Sequence, residues 1–235
     1  MRDLARRKIV FIIVEGVSDE TALGIAFSQI FDKESVYVHI MHGDITTRSD
    51  VTPQNIVAKI GNEVKKYAAS NHFDQDDFKQ IIHIVDTDAA YLSSEKIFKD
   101  SACEKLLYED DGIYASDVDR VISRNRRKTE NLYRLRSCGK AWNIPYRVYY
   151  MSCNLDHVLY DKRNSSDAEK ESDSYLFAKT YRNDVKGFLN YMCNSTFSIH
   201  GNFKKSWEFI EENMHSIQRY TNLPICLREA TKDTP

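Results

Sequence analysis

Four short apolar runs constrain this chain more than any other feature: Lys8 to Val14 (KIVFIIV), Val36 to Met41 (VYVHIM), Gln80 to Val85 (QIIHIV) and Tyr146 to Met151 (YRVYYM). Each has strand length, and such runs are the mark of strands buried within a sheet. The segments between them change period. Ala22, Leu23, Ala26, Phe27, Ile30 and Phe31 recur at three- and four-residue spacing behind Ser18, a candidate helix cap. Ile56, Val57, Ile60, Val64 and Tyr67 come after Thr52-Pro53, a capping hydroxyl before a proline suited to the first helical position. Strands alternating with helices predict an α/β fold: a mostly parallel sheet with right-handed crossovers, flanked by helices.

The pattern changes after the fourth run. Asp161 to Ser174 (DKRNSSDAEKESDS) is polar and predicts a mobile loop, Tyr175 to Tyr191 and Phe203 to Tyr220 predict helices, and the tail after Arg228 is expected to fray. The expected division is an α/β catalytic domain over residues 1–160, with a basic helical insertion near 115–140, and a helical C-terminal extension over 161–235. A chain of 235 residues suits one large core or a core with an appendage. Hydrophobic residues at 42% and charged residues at 29% point away from disordered and membrane classes. Ile9 to Val14 is too short for a signal or a membrane span. Cys103, Cys138, Cys153, Cys193 and Cys226 form no CxxC pair and no zinc spacing, so reduced thiols in a cytoplasmic chain are expected. No GxxxxGK[ST], GxSxG or GxGxxG is present, which excludes a P-loop, a nucleophile elbow and a dinucleotide fingerprint.

The polar residues immediately after each strand carry the chemistry. The first run ends in Glu15-Gly16, the second in His42-Gly43-Asp44, the third in Asp86-Thr87-Asp88 and the fourth in Ser152-Cys153-Asn154-Leu155-Asp156-His157. The carboxyl ends of parallel strands lie along one edge of the sheet, where ligands bind. Carboxylates gathered there raise each other's pKa unless a cation neutralises them. All-oxygen ligands suit Mg²⁺ or Mn²⁺.

Val14-Glu15-Gly16-Val17-Ser18-Asp19-Glu20 followed by Asp86-Thr87-Asp88 resembles the Toprim signature over roughly residues 8 to 157. That signature is shared by topoisomerases, primases, ribonuclease M5-type maturases and nucleases of the OLD (overcoming lysogenization defect) kind. The resemblance implies a Toprim-like sheet, Glu15 as general acid/base or metal ligand, and Asp86 with Asp88 as the metal-binding pair. Asp19 is similar to the EGxxD spacing of OLD-type and maturase-type nucleases, which implies a part in a second metal site. An acid in a first helical turn is also favourable from the helix dipole alone. The expected activity is a Mg²⁺- or Mn²⁺-dependent endonuclease acting on RNA or DNA, with antiviral defence as the context implied by OLD-type and abortive-infection effectors. His157 joins Glu15, Asp86 and Asp88 as a catalytic candidate, since imidazole changes charge near neutral pH. Asp44 and Asp156 are open between site and surface, and His42 and His83 are weaker candidates.

The formal charge of −2 conceals a stretch, Arg120 to Lys140, that carries +7 against −9 for the remainder. Arg124, Arg126, Arg127 and Lys128 are the expected phosphate contacts, and Tyr133 could stack on an exposed base. RNA or DNA is the expected partner. A partner ATPase or regulatory protein, a homo-oligomer, and a non-catalytic binding or sensor module built on the same fold stay open as alternatives.

Overall fold

The computed structural model describes residues 7–31, 34–41 and 44–232. In chain order the elements are β1 (Ile9–Val14), α1 (Val17–Ile30), β2 (Ser35–Ile40), α2 (Ile56–Ser70), β3 (Phe78–Asp86), β4 (Ile97–Lys99), β5 (Leu107–Glu109), β6 (Gly112–Ala115), α3 (Val118–Arg136), β7 (Lys140–Ala141), β8 (Ile144–Met151), α4 (Leu155–Tyr160), α5 (Asp167–Tyr181), α6 (Val185–Asn194), α7 (Phe203–Glu211) and α8 (Leu223–Lys232). The main sheet has the order β2-β1-β3-β8-β7, and its first four strands are mutually parallel. Only β7 is antiparallel. It turns into β8 through Trp142-Asn143, whose φ values of 45° and 58° are those of the two-residue hairpin turn that matches strand twist. Helix α2 meets this turn at Gly61, where a Cβ would stand 3.2 Å from the Trp142 nitrogen.

The strands are buried because both sheet faces are covered. Along β1, Val10, Ile12 and Val14 point into a core shared with α1, α4, α5, α6 and α8, while Ile9, Phe11 and Ile13 point into a second core with α2, α3 and α7. This is the period-two alternation of a strand with a hydrophobic layer on either side. Phe188, Met192, Leu223 and Leu227 of the C-terminal helices lie in the same core as Val10 and Ile12. Between β3 and β8 the chain builds a second sheet, β4-β6-β5, which packs a small core of its own against α3. No hydrophobic run of the sequence announces that sheet.

Several local expectations need correction. Helix α1 is capped by Gly16 and Asp19 rather than by Ser18: Asp19 Oδ2 accepts from the Gly16 and Glu15 backbone N–H groups at 3.0 and 3.2 Å. Thr52-Pro53 forms a turn, and α2 begins only at Ile56 behind Asn55, whose Oδ1 accepts from Thr52 N at 2.9 Å. The polar segment 161–174 is not a loop throughout, because α5 starts at Asp167. Ser166 and Glu169 cap it reciprocally, with Glu169 N donating to Ser166 Oγ at 3.3 Å and Ser166 N to Glu169 Oε2 at 2.9 Å. The helix expected over 175–191 is two helices, broken where Asp184 caps α6. The one expected over 203–220 ends at Glu211, and α8 continues past Arg228 to Lys232. All five cysteines are free. Among the described residues, no helix is long and apolar enough to cross a membrane.

Candidate functional site

The parallel strands deliver their polar ends to one edge of the sheet. Glu15 follows β1 directly, Asp86 closes β3, and Asp88 stands two residues later. The β3 and β8 ends are fastened beyond the sheet: Thr87 N donates to Met151 O at 2.9 Å, Asp88 N to Cys153 O at 2.8 Å, and Cys153 N to the fully buried Thr87 Oγ1 at 3.0 Å. Thr87 Oγ1 in turn donates to Ser216 O at 3.2 Å, so the loop before α8 braces the turn from below. Asp88 and Ala89 hold φ values of 48° and 52°. Two consecutive left-handed residues without glycine each cost about 1–2 kcal/mol, less for an aspartate. The surrounding hydrogen bonds hold the strained turn that aims Asp88 along the sheet edge.

Glu15, Asp19, Asp44, Asp86 and Asp88 form one electrostatically linked group. Burial, then the charge of Asp44, pushes Glu15 well above the usual carboxylate range. Burial, then Glu15, does the same to Asp86. Burial moves Asp19 up to about 6, against the two backbone N–H groups it accepts. Asp44 goes the other way: burial raises it, but the charge and hydrogen bond of Lys128 together with the hydrogen bonds from Thr46 outweigh burial and hold it below its ordinary value. Asp156, at the start of α4, adds its charge at the Asp19 end and faces Lys170 at 3.7 Å.

Lys128 is the largest departure from expectation. Its place in the basic run predicts a solvent-facing phosphate contact, yet it is fully buried, with Nζ 2.8 Å from Asp44 Oδ2 and 2.5 Å from Asp88 Oδ2. The reason lies in the helix face: Val121, Asn125, Lys128, Leu132 and Leu135 recur at four- and three-residue steps and are all buried. Lys128 therefore occupies a core position, where an ammonium persists only if paired. Asn131 Nδ2 donates to Thr46 O at 2.8 Å and Arg127 Nη1 to Thr47 O at 2.8 Å, so α3 is stapled along the loop that presents Asp44.

The other basic candidates separate. Arg124 donates to Asn125 Oδ1 from Nε and Nη2, to Tyr108 OH from Nη1 and to Asp88 O from Nη2, which engages four of its five N–H groups. It holds α3 and the small sheet to the Asp88 turn more than it awaits a phosphate. Arg126 is 81% exposed and pairs with Glu130 one turn on. Tyr133 is exposed, with the Arg136 guanidinium 4.8 Å from its ring centroid. His157 does not join the carboxylates: it is buried, and its Nε2 faces Arg163 Nε at 3.2 Å and Asp161 at 3.8 Å. Burial and Arg163 push its pKa down to about 4, so near neutrality it is an uncharged packed ring. His83 is buried inside β3, Nδ1 2.8 Å from Tyr146 OH. His42 lies outside the described residues.

Among the described residues, Glu15 and Asp86 form no ion pair, and Glu15 Oε1 accepts only the Asp86 backbone N–H, at 3.2 Å. No three His, Cys, Asp or Glu side chains among the described residues stand at metal-ligand spacing as placed. The donor set nevertheless suits a hard divalent cation in chemistry: oxygens only, partly sequestered from water, with Glu15 and Asp86 raised by burial and then by the neighbouring carboxylates. Comparison with known proteins adds nothing to this geometry, since no family model, no characterised protein and no solved structure matches the chain.

Proposed function

We propose that this chain is a Toprim-like, Mg²⁺- or Mn²⁺-dependent nuclease that hydrolyses phosphodiester bonds of RNA or DNA, its defence context resting on the resemblance to OLD-type effectors. One observation supports it above the others: Glu15 and Asp86 are raised side by side at a parallel-sheet edge, and neither is ion-paired among the described residues. Glu15, Asp86 and Asp88 would hold the metal, with Asp19 beside them. A bound divalent ion there supplies Lewis acidity to a phosphoryl oxygen and a nucleophilic water at neutral pH.

The chain's own groups have separable tasks. Glu15 is restrained through Oε1 by the Asp86 N–H, which fixes its carboxyl group at the sheet edge for the general acid/base or metal-ligand role that the resemblance implies. Lys128 offsets part of the charge of Asp44 and Asp88, which lessens the repulsion a phosphate meets at this edge. Asp19 orders the Glu15-Gly16 turn through its two backbone bonds.

The test is cleavage of labelled tRNA, structured RNA, and single- and double-stranded DNA with Mg²⁺ or Mn²⁺, comparing wild type with Glu15→Gln and Asp86→Asn. Metal-dependent cleavage abolished by both substitutions supports the nuclease. The competing assignment is a non-catalytic binding module, favoured by the grip of Lys128 on Asp44 and Asp88. Calorimetric titration that detects no Mn²⁺ uptake, with no substrate cut and nucleic-acid binding unchanged in both variants, would favour that assignment instead.

A further inference from the structure

Beside the carboxylate edge, between α3 and the small sheet, lies a cavity of about 670 Å³. Lys105, Arg120, Arg124 and Arg127 line it, against two acids, Glu104 and Asp117. Asp117 is committed to capping α3, where its Oδ1 accepts from Arg120 N at 3.0 Å. Arg120 and Lys105 are exposed and form no ion pair among the described residues. Arg127 gives one N–H to Thr47 O, which leaves most of its donor fork unengaged. Two lining residues touch the acidic edge directly: Thr47 N lies 3.4 Å from Asp44 O, and Arg124 Nη2 donates to Asp88 O at 2.9 Å. Thr47 and Arg124 thus tie the cavity wall to the backbone of Asp44 and Asp88.

Building on the nuclease reading above, we propose that the cavity is a subsite for one unpaired nucleotide, which Arg120, Arg127 and Lys105 grip by its phosphate, and that the substrate is therefore single-stranded. The volume falls in the range of roughly 300–1,000 Å³ typical of small-ligand sites, and its charge suits a phosphate diester. A concave site excludes paired strands, because a duplex must flip a nucleotide out of its stack at a few kcal/mol to fill it, whereas a single strand has no such penalty. No aromatic ring among the described residues lines the cavity, so the grip proposed here is on the phosphate and not on a stacked base. Lys105 and Arg120 lie on either side of β5 and β6 in the sequence, and both line the cavity.

Fluorescence anisotropy in EDTA, with ten-nucleotide single strands of DNA and of RNA and a duplex of the same sequence, tests this without any cleavage. The single strand should bind at least about 10-fold more tightly than the duplex, and millimolar inorganic phosphate should compete. Arg120→Ala and Arg127→Ala should each weaken binding about 10-fold and reduce the salt slope by about 0.7. Arg120 is exposed and guards against a folding artefact at Arg127, and the RNA and DNA arms identify which strand is preferred. Equal or tighter duplex binding, or indifference to both Arg120→Ala and Arg127→Ala, overturns the proposal. Asp86→Asn should bind like wild type while not cleaving. Cleavage without pocket dependence would sink the subsite alone, and pocket-dependent binding without cleavage would sink the nuclease alone.

Discussion

Asp44 with Asp88, and Glu15 with Asp86, hang from the same sheet edge, but only the first pair is joined by a cation of the chain's own. Lys128 reaches it from α3 at 2.8 and 2.5 Å, and Asp44 is held below its ordinary range as a result. The second pair receives a backbone N–H and no ammonium at ion-pair distance among the described residues, and both members are raised. The same fold that gives one pair a counter-charge leaves its neighbour without one at ion-pair distance among the described residues. Buried carboxylates without an ion-pair partner are destabilising, and this is the charge that the proposed metal would supply.

The sharpest way to break this contrast is to remove the lysine. Lys128→Met should destabilise the chain by about 3–5 kcal/mol, because Asp44 and Asp88 lose their counter-charge. Denaturant unfolding measures it, and a loss below about 1 kcal/mol would mean the bridge is not structural.

Next in size is the opposite sign at the other pair. In EDTA, Glu15→Gln and Asp86→Asn should each stabilise by about 0.5–2 kcal/mol, as relief of a strained functional site commonly does. Mn²⁺ should raise the Tm of wild type and leave both variants where they were. If either substitution destabilises the metal-free chain, that pair is structural too.

The pH dependence refines the picture. Asp19 has a folded pKa of about 6, above its ordinary 3.8. Its contribution is therefore fully present below pH 3.8 and lost as pH rises to about 6. Glu15 and Asp86 act in the same direction. Asp44, held low, acts in the reverse sense, its contribution present above its unfolded pKa and lost in stronger acid. Asp19→Asn keeps an acceptor for the Gly16 N–H and should flatten the decline between about pH 4 and 6 in thermal melts. An unchanged profile would show that Asp19 ionises freely. The smallest effect belongs to Arg126→Ala, whose exposed pair with Glu130 should change stability by no more than about 0.5 kcal/mol.

The parallel core and the acids at its edge are legible in the sequence because hydrophobic runs and their terminators are local. Ile9 to Val14 announces a buried strand by composition, and Glu15 is simply the next residue. The small sheet is not legible, since strands of three or four residues such as Ile97–Lys99 carry no period to detect. Helix α5 hides behind its polarity, although Ser166 and Glu169 stand at capping-box spacing and mark its start. Lys128 misleads when charge is weighed ahead of position. Its place between Val121 and Leu135 on the buried stripe is available in the sequence. Its pairing with Asp44 and Asp88 is not, because that depends on how three distant segments meet.

Those distances along the chain also set an order in time. Lys128 lies 84 residues after Asp44 and 40 after Asp88. At a synthesis rate of about 5–20 residues per second, Asp88 emerges from the ribosome roughly 2–8 s before the lysine that answers it. Closing loops of that length comes after the formation of local helices and hairpins. Until α3 docks, the acids can only repel, and the loop carrying Asp44 has neither Lys128, Asn131 nor Arg127 to hold it. The bridge is a latch that closes on the completed domain, so a half-made chain has no finished edge on which a cation or a strand could settle.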